Sequence, residues 1–105
     1  MDVINRYHVE LRGQPGFSSR AQILLLGADD RERAALGRIH FYDAGVQLPT
    51  DAQSDGVIEM HLPMDALAGV IALLQHDKPI KIGFVDGNAI LRTGEWEPVG
   101  ESERD

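Results

Sequence analysis

Three histidines in this chain stand where imidazole chemistry is possible. His8, His40 and His61 each lie in a run of alternating apolar and polar residues, close to Glu10, Tyr42 and Glu59 respectively. Alternation puts each of them on the polar side of a strand. On neighbouring strands, two or three imidazoles would converge on a small ligand or a divalent cation. Glu59 would add a carboxylate oxygen and Tyr42 a hydroxyl. His8, His40, Tyr42, Glu59 and His61 are therefore the candidate ligand-binding residues. No HxH or HxxxH spacing forces two of them onto one ion, so no metal is assigned, and a solvated strand face is the ordinary place for such histidines.

Other chemistries are poorly represented. The chain has no cysteine, which removes disulfides, thiolate nucleophiles and Cys-ligated metals. GxSxG, P-loop, HExxH and a strand-borne GxGxxG are absent from the sequence. The loop acids Asp43, Asp51 and Asp55 lack the alternating spacing of a calcium loop. His76 suits the negative end of a helix. No catalytic residue and no cofactor is implied, and the reading leans away from an enzyme. Trp96, the one tryptophan, is a candidate interface residue; its ring could instead fold back over the end of a sheet.

The elements that position these residues follow from period and punctuation. Residues 2–12 alternate as one strand, with Val3, Tyr7, Val9 and Leu11 on one face and Ile4, Arg6, His8, Glu10 and Arg12 on the other. Gly13-Gln14-Pro15-Gly16 breaks it. Residues 21–27 form a continuous apolar run, expected to be a central strand covered on both faces. In residues 36–42, Ile39 and Phe41 point inward and Arg38, His40 and Tyr42 outward. Residues 43–56 read as the longest loop.

The stretch 57–93 is the most fully specified. Ile58, Met60 and Leu62 alternate with Val57, Glu59 and His61. Pro63 opens a helix whose stripe is Met64, Leu67, Val70, Ile71 and Leu74, and Pro79 stops it. A hairpin follows, with Ile80, Ile82 and Phe84 inward and a turn at Asp86-Gly87-Asn88. The order β-β-β-β-α-β-β predicts an α+β fold: a mainly antiparallel, curled sheet of about six strands with one helix on a face.

Size and charge bound the function. A chain of 105 residues, 43% hydrophobic and 26% charged, suits one globular domain, expected over residues 1–94. Residues 95–105 carry five acids and one arginine of a chain with net charge −7, and their composition predicts a mobile acidic tail. The rest offers no basic stripe for phosphates, which argues against nucleic acid and anionic membranes. No run of about 18 apolar residues and no leader pattern occurs, so a cytoplasmic location is expected. Two functions fit: a non-enzymatic interaction module that forms a homodimer, or a small-ligand or metal-binding protein built around His8, His40 and His61. A basic protein is the natural partner for the acidic tail.

Overall fold

The computed structural model describes residues 2–14, 18–28 and 35–94. The fold is α+β, with eight strands in two sheets and one helix among the described residues. In chain order the strands are β1 (Asp2–Ile4), β2 (Arg6–Leu11), β3 (Ala21–Leu26), β4 (Ala35–Tyr42), β5 (Ala52–Ser54), β6 (Val57–Pro63), β7 (Ile80–Val85) and β8 (Asn88–Thr93). A single 3-10 turn, Met64–Ala66, leads from β6 into helix α1, Leu67–His76. The five-stranded sheet has the order β2-β3-β4-β6-β5, and the three-stranded sheet the order β1-β7-β8. All pairings are antiparallel except β4 with β6.

One curled six-stranded sheet is thus corrected to two open sheets, and the cause lies at Asn5. Residues 2–12 are two strands: β1 pairs with β7, whereas β2 pairs with β3. The Asn5 amide donates to the Leu26 carbonyl at 2.8 Å and the alternation resets there. Ile4 consequently packs against the core, while Val3 is 42% exposed, the reverse of the expected faces. Tyr7 and Val9 pack inward as expected.

The core lies between the sheets. Ala21, Ile23, Leu25, Ile39, Phe41 and Ile58 from the larger sheet meet Ile82 and Ala89 from the smaller. Met64, Leu67, Val70, Ile71 and Leu74 close it from the helix, the stripe expected from their spacing. Pro63 ends β6 in an extended conformation rather than opening the helix. Gly37 is where the layers come closest: a Cβ built there would lie 2.9 Å from the Ile58 carbonyl oxygen and 2.9 Å from Ile82 Cδ1.

Two further differences concern covering. The β3 run was expected to be buried on both faces, yet only Ala21, Ile23 and Leu25 are fully buried. Leu24 and Leu26 are partly exposed on the outer face, away from the helix and the small sheet. The 43–56 segment is not all loop, because Asp55 and Gly56 adopt φ of 53° and 79° and turn β5 back onto β6. The same left-handed pair recurs at Asp86 (52°) and Gly87 (81°), joining β7 to β8 with Phe84 opposite Ala89. Among the described residues no helix is long and apolar enough to cross a membrane.

Candidate functional site

Parallel pairing of β4 with β6 places His40 directly opposite His61 and Arg38 opposite Glu59. All four side chains share the outer face, because β4 and β6 each alternate with their apolar residues turned to the core. The two imidazoles stack with centroids 5.1 Å apart and planes 17° from parallel. Glu59 accepts from Arg38 Nη1 at 2.7 Å and from His40 Nε2 at 2.6 Å. An ionised carboxylate can only accept, so His40 carries its proton on Nε2. His61 Nδ1 and the Tyr42 hydroxyl are 2.8 Å apart. Arg38, Glu59, His40, His61 and Tyr42 thus form a continuous polar cluster.

Asp51 extends the cluster to the other sheet. Strand β5 pairs with β6 only over Val57–Glu59, so among the described residues no strand lies along that side of β6 at His61. The Asp51 carboxylate takes its place, with Oδ1 accepting from the His61 amide at 2.9 Å. Oδ2 accepts from the Ala89 amide of β8 at 3.1 Å. One side chain therefore ties the five-stranded sheet to the three-stranded one.

Burial and charge tune two of these groups. Burial, then the charge on His40, holds the His61 imidazole below its usual range, against the opposite pull of Asp51 and Glu59. Burial, then the Glu59 charge, raises the Tyr42 hydroxyl, which stays neutral at ordinary pH.

Four of the five candidate residues meet, namely His40, Tyr42, Glu59 and His61. His8 does not. It lies on the expected face, but β3 stands between, with Leu24 opposite His8 on one side and Arg38 on the other. Among the described residues no three His, Cys, Asp or Glu side chains are placed to hold one metal ion. Arg38 was legible on the polar face by parity, although nothing marked it as a partner of Glu59. Asp51 carried no signal, because its role depends on two strands distant in sequence. Trp96 and the acidic stretch 95–105 lie outside the described residues.

Chemically, each imidazole spends one ring nitrogen within the cluster, His40 Nε2 on Glu59 and His61 Nδ1 on Tyr42. No buried side-chain nitrogen or oxygen among the described residues lacks a partner. A cleft of about 270 Å³ lies elsewhere, where β1 diverges from β2, lined in part by Ile4, Tyr7, Leu74, Pro79 and Ile80. No protein-family model, curated protein or solved structure matches this chain.

Proposed function

We propose that the chain is a non-enzymatic protein-interaction module that self-associates. The observation carrying this reading is an open sheet edge. Strand β2 is six residues long and pairs with β3 on one side; among the described residues no strand pairs with the other. Protected edges usually carry a proline, a bulge or an inward-pointing charge. Arg6–Leu11 has no proline, its register with β3 is unbroken, and its charged residues Arg6 and Glu10 lie on the outer face, opposite the face of Tyr7, Val9 and Leu11. Symmetric dimers are the commonest closed assemblies. Light scattering on the full chain at high micromolar concentration is expected to give twice the monomer mass; a clean monomer refutes the reading.

The second reading, a small-ligand or metal site at the polar strand faces, is favoured by the meeting of His40, Tyr42, Glu59 and His61. Against it, Glu59, one nitrogen of each imidazole and the Tyr42 hydroxyl are already engaged with one another, and His8 stands apart. Titration calorimetry with Zn²⁺ or Ni²⁺ tests it. A dissociation constant well below about 1 mM supports it, and anything weaker ends it. A basic partner for residues 95–105 rests on charge alone.

A further inference from the structure

We infer that the partner of the β2 edge is a second copy of the same strand, paired antiparallel about a two-fold axis at Val9; this rests on the self-association proposed above. The argument begins with which backbone groups face outward. The Arg12 amide donates to the Arg20 carbonyl at 2.8 Å, while the Arg20 amide turns to the Phe41 carbonyl, so Arg12 directs its N–H to the β3 side. Antiparallel ladders alternate bonded and non-bonded pairs. Arg6, His8 and Glu10 therefore direct their backbone groups to β3, whereas the N–H and C=O of Tyr7, Val9 and Leu11 point to the open side.

A symmetric antiparallel pairing must match residues of like parity, and two registers are near the strand's centre. With the axis at Val9, Val9 exchanges both its bonds with its twin, and Tyr7 exchanges both with Leu11. With the axis at His8, only Tyr7 and Val9 exchange bonds, and Leu11 falls beyond them. The first register uses every outward backbone group of the strand.

Side chains select the same register. Leu11 is 66% exposed, the most exposed large apolar residue among those described. Pairing about Val9 sets it beside the twin's Tyr7 on the inner face. Tyr7 also lines the cleft formed with Ile4, Asn5, Leu74, Lys78 and Ile80, whose lining is part apolar and part polar. On the outer face, His8 of each chain comes opposite Glu10 of the other, a donor against a carboxylate. Arg6 falls opposite Arg12, whose guanidinium is already held by Glu10, Ser19 and Gln22 of its own chain. The product is one continuous sheet running through both copies.

The test uses the absence of native cysteine. His8 and Glu10 form a non-bonded cross-strand pair in this register, with Cα atoms about 4.5 Å apart, within disulfide reach. A mixture of His8→Cys and Glu10→Cys chains, oxidised mildly, is expected to give a covalent dimer on a non-reducing gel, and neither variant alone to do so. Crosslinking of His8→Cys with itself would move the axis to His8 and overturn the register. A dimer by light scattering with no crosslink in the mixture would overturn the β2 edge while leaving self-association standing. A monomer by light scattering would overturn both. Leu11→Asp, at an exposed site, is expected to keep the circular dichroism spectrum and to raise the dimer dissociation constant at least about tenfold. An unchanged constant would remove Leu11 from the interface and with it this register.

Discussion

Replacing Asp51 by asparagine changes one oxygen to an amide nitrogen and nothing in shape, which makes it the sharpest probe of how the two sheets are joined. In the native chain both carboxylate oxygens accept, one from the His61 amide and one from the Ala89 amide, at 2.9 and 3.1 Å. Hydrogen bonds to a charged acceptor contribute about 1.5–3 kcal/mol each, and an N–H left without a partner costs about 1–3 kcal/mol. In Asp51→Asn one bond survives in its weaker neutral form. The other becomes an NH₂ group facing an N–H, donor against donor. The expected loss is about 2–3 kcal/mol, discounted for the part-buried setting of both contacts. For a domain near this size each kcal/mol moves the melting temperature by about 4–8 °C, so a fall of roughly 10–20 °C is expected by calorimetry. Hydrogen exchange gives the local readout: the Ala89 and His61 amides should lose protection out of proportion to the rest of β6 and β8. Asp55→Asn is the control, an exposed turn residue at φ 53° where asparagine is at home, with an expected change within about 0.5 kcal/mol. If Asp51→Asn melts within 2 °C of the native chain, the carboxylate does not hold the sheets together and the reasoning fails.

Two further outcomes follow from the same geometry. Gly37→Ala places a methyl 2.9 Å from a backbone carbonyl that cannot yield and from Ile82 Cδ1, so a loss of about 1–3 kcal/mol in urea unfolding is expected; a neutral result would mean the layers are not that close. The pH dependence has a definite sign, because the folded-state His61 imidazole titrates below its unfolded value. At higher pH both states are neutral. As pH falls through about 6.5 the unfolded chain takes up the proton first, and stability drops until the folded group also titrates. Melting temperature should therefore fall more between pH 7.5 and 6 in the native chain than in His61→Gln, and equal slopes would refute the assignment.

The parts of the fold that were legible are those whose signals are local. The stretch from β6 through α1 to β8 was readable because strand parity, helix stripe and the Asp86-Gly87 turn each lie within a few residues. Parity also placed His40 and Tyr42 on one face of β4, and Glu59 and His61 on one face of β6. What parity cannot supply is adjacency. Parallel pairing of β4 with β6 brings those pairs together, and the insertion of β3 keeps His8 away. The break at Asn5 was hidden because no glycine or proline marks it; competition between β3 and β7 for the two halves of residues 2–11 decides it. Strand β5 has no buried residue and so no alternation, yet Asp55-Gly56 before an alternating strand was a hairpin signal that composition disguised as loop.

These placements shift the weight of the functional question from the histidines to an edge. Hydrogen bonds join Arg38, Glu59 and His40 on one side and His61 and Tyr42 on the other, the two imidazoles stack between them, and Asp51 takes the His61 amide. Contacts of this kind between β4 and β6 favour their parallel pairing in the observed register. Among the described residues no strand pairs with the outer side of β2, where Tyr7, Val9 and Leu11 present donors and acceptors in the spacing that a strand requires. In the proposed dimer an antiparallel copy of β2 supplies that spacing and sets the Glu10 carboxylate opposite His8. The histidine cluster contributes to joining β4 with β6, and the less conspicuous run Arg6–Leu11 is the edge on which the proposed self-association rests.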